Sequence, residues 1–424
     1  MNFRQLACCA VVLSCLAATL PLFAVDTKSA DWPQFRGPNR NDVSDDKGLL
    51  KDWPKDGPAQ VWKCDGLGAG FSSVAVVGDR IYTMGDLKDG CHVFAIDRAK
   101  GTIVWKVMIG KTGGNISGPR CTPTVDGDSI YALGQHGDFV CLDTKDGKQR
   151  WKKNLPKDFK GSPGGWNYTE SPLVDGDKVV VTPGGADATM LALNKNTGDV
   201  IWKGVVAGGG DTAGYSSIVA ADIAGKRQYI QLMANGLTSF SADKGEQLWR
   251  FGTKNNRFGG NTANIPTPIV NGNQVFASVG YGRGAALITI SVAGEKFNVS
   301  EDYWQQKLNN KHGGVINFGD YLFGDRDDGG RVWCANFKNG EIKWSDKDSA
   351  NGSGSASLTY ADGMLYIRYA NGWVSLVNPK DGTEVSTFKP GSGKNNLWAH
   401  PVVVGGKLYI REEGTLLCYD VKQK

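Results

Sequence analysis

The 424-residue sequence predicts an all-β chain folded as an eight-bladed β-propeller of four-stranded blades, its ring closed by N- and C-terminal strands. Three observations lead there. The first is a spacing: Asp97, Gly101 and Trp105 return as Asp143, Gly147 and Trp151, then Asn194, Gly198 and Trp202, then Ser241, Gly245 and Trp249, then Asn336, Gly340 and Trp344. A weakened copy has Asn378 and Gly382 with Ser386 in place of the tryptophan. The second is a set of eight hairpin openings. The third lies at the chain ends, each of which supplies part of a repeat that it does not complete. Self-similarity at 43 to 51 residues is the mark of a propeller-type array.

In chain order, the first segment stands outside the fold. Arg4 gives a positive start, residues 6–23 are almost wholly apolar, and Leu22-Phe23-Ala24 ends the run on a small residue. This reads as a secretory signal cleaved after Ala24, so residues 1–24 are a signal peptide, 25–58 an N-terminal extension and 59–424 the propeller. A lipoprotein reading would use Ser14-Cys15, but the apolar run continues past Cys15 to Phe23. No later stretch reaches the roughly 18 apolar residues of a membrane helix. The expected destination is the periplasm or cell envelope, or secretion, without a membrane span.

Ala59-Gln60-Val61-Trp62 reads as an outer strand with nothing before it, and Leu416-Leu417-Cys418-Tyr419-Asp420 ends a repeat with no room for one. Together they complete one blade. Between them, Thr122-Pro123-Thr124-Val125-Asp126-Gly127-Asp128 and its counterparts at Ser171 and Thr267 place Asp-Gly or Asn-Gly between apolar runs, as tight hairpin turns demand. Looser openings start near Ser73, Ser216, Gly314, Ser357 and His400. These aspartates are turn residues, not catalytic ones. Proline is tolerated at a strand start on a free edge, so Pro123, Pro172, Pro268 and Pro401 mark the innermost strand of each blade. Within each repeat the Asp/Asn carboxyl or amide accepts turn N–H groups, glycine takes the left-handed position, and the tryptophan four residues on covers the neighbouring blade. Structural docking is thus assigned to Trp62, Trp105, Trp151, Trp202, Trp249 and Trp344. The 95 residues from Trp249 to Trp344 are two repeats, one of them degenerate between Gly252 and Lys311.

Composition agrees and excludes much else. Hydrophobic residues make up 40% and charged residues 21%, which rules out a disordered chain, and 58 glycines with 13 Trp and 13 Tyr suit many turns between aromatic-bearing strands. A net charge of +5 without any Lys/Arg run argues against nucleic acid as a partner. Removal of the signal leaves six cysteines. Disulfides are compatible with export, but Cys141, Cys334 and Cys418 occupy a repeat slot filled elsewhere by Ala95, Ala192 and Ser239, which predicts small buried side chains there.

The run Ala-x-Asp/Asn-x-x-x-Gly-x-x-x-Trp, as at Ala95 to Trp105 and Ala192 to Trp202, resembles the tryptophan-docking motif of the PQQ-like (pyrroloquinoline-quinone-like) β-propellers. That superfamily includes PQQ-dependent alcohol dehydrogenases and the outer-membrane assembly lipoprotein BamB. Trp32-Pro33-Gln34-Phe35-Arg36-Gly37-Pro38-Asn39-Arg40 and the stretch from Trp166 to Asp177 are similar to segments of secreted BamB-like propellers of planctomycete type. The resemblance covers roughly residues 59 to 424. It implies a monomeric, non-catalytic binding or scaffold module for an envelope protein or polymer, or, as the alternative, a PQQ-dependent oxidoreductase.

A quinoprotein of that kind implies PQQ on calcium, stacked between a tryptophan and a disulfide of adjacent cysteines. Here the adjacent pair Cys8-Cys9 falls within the signal, so no cofactor is expected outside the alternative. The four histidines have no metal-site spacing, no Gly-x-Ser-x-Gly elbow occurs, and the Asp325 to Asp328 turn lacks EF-hand spacing, so neither a metal nor catalytic residues are expected. Gly66 to Gly70 and Gly280 to Gly284 read as loops, since neither opens a helix. What remains is the channel mouth, onto which Arg120, Trp166, Glu170, Tyr215, Arg257, Asn264, His312, Trp398 and His400 converge. They make either a ligand site in the funnel or a packed plug in which Glu170 pairs with Arg120, the two histidines cap strand ends and the two tryptophans fill the space.

Overall fold

The computed structural model describes residues 31–116, 118–254, 257–260, 263–347, 349–393 and 396–424; the signal expected at 1–24, with Cys8, Cys9 and Cys15, lies outside them. The described chain forms eight sheets in a ring, each led by an innermost strand. Blade 1 runs Ala75–Val77, Arg80–Leu87, Gly90–Asp97 and Ile103–Gly110, antiparallel throughout. Blades 2 to 7 repeat it over 124–154, 173–204, 219–251, 269–305, 316–347 and 356–388. Blade 8 is composite: Ala59–Cys64 pairs antiparallel with Thr415–Asp420, beside Lys407–Glu412 and Val402–Val404.

The repeated spacing is an inter-blade joint. Asp97 Oδ1 accepts the N–H groups of Ala99 and Lys100, tightening the turn, and Gly101 follows at φ +68°. A β-carbon on Gly101 would come within 2.5 Å of the Trp62 ring, and one on Gly198 within 2.9 Å of Trp151. The bare glycine is the surface on which the ring lies. Each indole N–H then donates to a carbonyl of the same turn, Trp62 to Arg98, Trp105 to Thr144, Trp151 to Lys195, Trp202 to Ala242 and Trp344 to Pro379. Trp249 differs, because blade 5 offers no such turn, and donates to Gln228 of its own blade. Replacing Trp151 by Ala is expected to cost about 3 to 5 kcal/mol through lost burial and the cavity left behind. Urea denaturation measures it, and wild-type stability in the variant would remove the joint assignment.

Two irregular repeats are repaired by different means. In blade 5, Tyr303 lies on Gly340 and donates its hydroxyl to the Phe337 carbonyl, so a tyrosine takes the tryptophan position. In blade 7, where Ser386 stands, the ring comes from elsewhere in the chain. Trp53 lies 5.7 Å from Tyr366, as Trp62, Trp105 and Trp151 lie 6.0 Å from Tyr409, Tyr82 and Tyr131, and its backbone N–H donates to Ser386 Oγ.

The segment that delivers Trp53 first crosses the channel. Trp32 bridges to Val76 in blade 1, the Pro33 carbonyl accepts from Val125 in blade 2, and Val43–Ser44 adds a parallel fifth strand to blade 7 against Tyr360 and Ala361. Leu49 and Leu50 then reach the C-terminal strand region at Lys422 and Val421. All six cysteines of residues 31–424 are buried free thiols. Cys141, Cys334 and Cys418 lie on third strands at the small-residue slot.

Candidate functional site

The loops entering the innermost strands bound a cup of about 270 Å³ at one end of the channel. One wall is a continuous layer of rings. His312 stacks on Trp398 at 4.1 Å and 16°, Trp398 on Phe71 at 5.0 Å and 29°, and the Arg120 guanidinium sits over Phe71 at 5.6 Å. Across from them, Trp166 is 39% exposed and Tyr281 53% exposed, unusually open for rings of this size. The Tyr215 hydroxyl accepts the Trp166 backbone N–H, which holds that loop, and Lys311 lies over Tyr281 while pairing with Asp328 at 2.7 Å.

The floor of the cup is the N-terminal segment. Arg36, buried, pairs through Nε with Asp42 at 2.9 Å and donates to the Val315 carbonyl in 2.5 Å. His400 Nδ1 lies 3.0 Å from the same Asp42 oxygen, and Phe35 meets the His400 ring edge-on at 5.0 Å. Arg40, also buried, reaches the Ser171, Pro172 and Ile218 carbonyls of blades 3 and 4. Four backbone carbonyls accept from these two arginines and one carboxylate pairs with Arg36, so the segment is tied into the ring by its buried side chains. The cup is therefore blind at its base.

Six of the residues expected at the mouth meet in this cup: Arg120, Trp166, Tyr215, His312, Trp398 and His400. Three others do not. Glu170 is buried behind the innermost strand, where it accepts from Thr182 N, Thr182 Oγ1 and Gln231 Nε2; its nearest cation is Arg40, and the expected pairing with Arg120 is absent. Asn264 is wholly buried and clamps a loop by donating to the Met233, Ala234 and Phe258 carbonyls. Arg257 pairs with Glu301 and covers Trp304 at 4.5 Å, away from the cup. A polar side chain preceding a blade tells that it sits near the axis, but not whether it faces the lumen or the joint behind. Phe35, Arg36, Phe71, Thr267 and Tyr281 line the cup without having been expected there. Phe35 and Arg36 lie in a motif noticed only for its resemblance.

Glu170, behind the cup, and His312, in its wall, are both strongly shifted. Burial raises the Glu170 carboxyl to about 7, and burial against Trp398, helped by Lys311 and Arg120, lowers His312 to about 4. A raised carboxyl binds its proton more tightly in the folded state, so its stabilisation is complete below the ordinary pKa of 4.5 and lost as pH rises through about 7. The lowered histidine acts oppositely, costing stability as pH falls from 6.5 toward 4. The difference between wild type and Glu170→Gln isolates the first effect: the wild type should lose about 3 kcal/mol relative to the variant between pH 5 and pH 8. Parallel denaturation curves across that range would contradict it.

Among the described residues no group of three or more His, Cys, Asp or Glu is placed to hold a metal, and no helix is long and apolar enough to cross a membrane. Comparison with known proteins gives kinship to this geometry. The chain is 20% identical over 364 residues to an outer membrane protein assembly factor BamB from Shewanella oneidensis, covering 73% of this chain and 86% of that one. It is 22% identical over 336 residues to a tetrathionate hydrolase from Acidithiobacillus ferrooxidans, covering 75% of this chain but only 53% of that protein, so it spans about half the length of that relative. The fold is shared with the quinohemoprotein alcohol dehydrogenase of Comamonas testosteroni, at a TM-score of 0.67 and 13% identity, over 95% of this chain and 82% of that one. The family pattern described as outer membrane protein assembly factor BamB matches residues 89–346, more than half of the sequence, and the chain therefore belongs to this family of PQQ-like β-propellers.

Proposed function

We propose that the protein is an exported, non-catalytic binding propeller that holds an envelope protein or polymer at its channel mouth. One observation carries this reading: the cup is preformed, ring-walled and closed at its base by a segment anchored to blades 1, 2, 3, 4, 6 and 7, which suits capture of a protruding group more than passage or turnover. The BamB-type family supports a binding role, since it is described as an assembly factor. The alternative is a PQQ-dependent oxidoreductase, favoured by the shared fold with a quinohemoprotein dehydrogenase. The residues present do not fit calcium-held PQQ. Calcium takes six to eight oxygen ligands, yet among the described residues no carboxylate lines the cup: Glu170 faces the joint behind it and Asp42 is engaged by Arg36 and His400.

The test places a photo-crosslinking phenylalanine analogue at Tyr281 in the exported protein and identifies what is captured in cells. Recovery of one envelope component, lost when Trp166→Ala is added, supports the reading. No specific adduct, or saturable PQQ binding with calcium and alcohol-dependent dye reduction, would overturn it. Trp166 is exposed, so its variant should melt as the wild type does. Trp398 is sandwiched between His312 and Phe71, so Trp398→Ala should lose stability as well as binding.

A further inference from the structure

We propose that the cup recognises a single carboxylate borne on a ring, with Arg120 as the group that receives it. The inference rests on the binding role given above and names the chemistry of its ligand. It begins with charge. Four cationic or ionisable basic groups line the cup besides Arg120, and each is accounted for: Arg36 and His400 share Asp42, Lys311 pairs with Asp328, and His312 is held neutral by burial against Trp398. Arg120 has no carboxylate within ion-pair distance among the described residues. Its one hydrogen bond is from Nη1 to the Gly118 carbonyl at 3.1 Å. Asp86 lies close enough to favour its charge but forms no ion pair with it; Asp86 Oδ2 accepts from Gln135 and from the Gly113 N–H, and Oδ1 is buried without a hydrogen-bond partner.

A guanidinium has five donors in a planar fork matched to a carboxylate, and partial burial strengthens the pairing. A guanidinium that no carboxylate caps leaves the rest of its fork free for one anionic group. The surrounding wall then defines the body of the ligand. Arg120 ends the stack of His312, Trp398 and Phe71, and the open faces of Trp166 and Tyr281 stand ready for a flat apolar surface. Such faces accept an aromatic ring or the C–H face of a sugar equally. Thr267 Oγ1, in a residue 95% buried by its 5% exposure, lines the cup without a hydrogen-bond partner and offers a site for a ring hydroxyl. A cup of about 270 Å³ admits one such ring unit. Two sources share this chemistry, an aromatic acid and a uronic acid residue of a polymer.

The experiment is calorimetry, with ligand-observed NMR, on the full mature chain with 4-hydroxybenzoate and with glucuronate, each beside its uncharged counterpart, 4-hydroxybenzamide or glucose. One acid should bind with a dissociation constant on the order of 1 mM or tighter, as its atom count permits. Its neutral counterpart should bind at least about tenfold more weakly. Which acid binds identifies the source. Arg120→Gln should lose the same factor and Arg120→Lys recover part of it, with melting temperatures near wild type because the side chain makes a single internal hydrogen bond. Failure of both acids at about 10 mM, equal binding of an acid and its neutral counterpart by the wild type, or full affinity in a folded Arg120→Gln overturns the proposal. The acid and neutral comparison needs no variant, so a misfolded substitution leaves the test intact. Capture of an envelope component through Tyr281 together with failure of both acids would refute the carboxylate assignment alone, whereas acid binding without capture would refute only the scaffold role.

Discussion

A chain ending at Gly414 is expected to lose its cooperative melting transition altogether. The ten residues removed contain Thr415–Asp420, among the described residues the one strand that joins Ala59–Cys64 to the rest of blade 8. Without it the N-terminal strand has no neighbour, Trp62 is no longer held against Gly101, and the ring opens between blades 8 and 1. The magnitude decides the outcome. Leu416, Leu417, Cys418, Tyr419 and Val421 are all buried, and at about 1.5 to 3 kcal/mol for each large apolar side chain the loss is on the order of 10 kcal/mol. That is comparable with the entire stability of an ordinary domain. Arg411 adds to the seam, since its buried Nη2 donates to the Leu67 and Gly68 carbonyls on the chain leading into blade 1. Differential scanning calorimetry measures the effect, and a truncated chain melting at the wild-type temperature would show that the closure carries no weight.

Most of this ring was legible because its cause is local and periodic. Asp97 or Asn194 tightens a turn, glycine clears a surface, and a tryptophan four residues on covers the next blade; each demand falls on one residue type at one spacing. Hairpin turns were equally legible, since Asp-Gly and Asn-Gly satisfy their dihedral requirement from within. What escaped lies where the requirement is met from a distance. Trp53 serves blade 7 from 333 residues before Ser386, and nothing near Ser386 announces it. Tyr303 serves blade 5 with a phenol in place of an indole, which breaks the spacing while keeping the function. The candidate site was half legible for the same reason. Rings such as Trp166 and Trp398 in loops before innermost strands could be placed at the mouth, but Glu170 and Asn264 share that sequence position and turn the other way. The floor of Phe35, Arg36 and Arg40 was not legible at all, because residues 25–58 carry no repeat and their partners are carbonyls of blades 3, 4 and 6, which every sequence possesses.

That floor yields the other large expected effect. Arg40→Met should destabilise the protein by about 3 to 5 kcal/mol, the usual consequence of removing one member of a buried charged network. The side chain is 5% exposed and satisfies the Ser171, Pro172 and Ile218 carbonyls, with Nε on Gln34 Oε1 at 2.8 Å. Methionine fills much of the volume but supplies no donor, so the Ser171 and Ile218 carbonyls lose their side-chain donor and Pro172 keeps only the Thr124 hydroxyl. Its loss also removes the cation that favours ionised Glu170, whose carboxyl then moves further above 7 and stays protonated at neutral pH. The two effects are coupled. Adding Glu170→Gln to Arg40→Met should therefore cost less than the sum of the single changes, by about 0.5 to 3 kcal/mol. Arg40→Lys should not restore the wild type, because one ammonium cannot span carbonyls on two blades. Urea denaturation of the four proteins gives these energies, and limited proteolysis gives their location: with Arg40 gone, residues 31–50 should be cut before any blade. Additive energies would sever the link between Arg40 and Glu170, and an uncut segment in a variant of wild-type stability would mean that the channel floor is held by something other than its arginines.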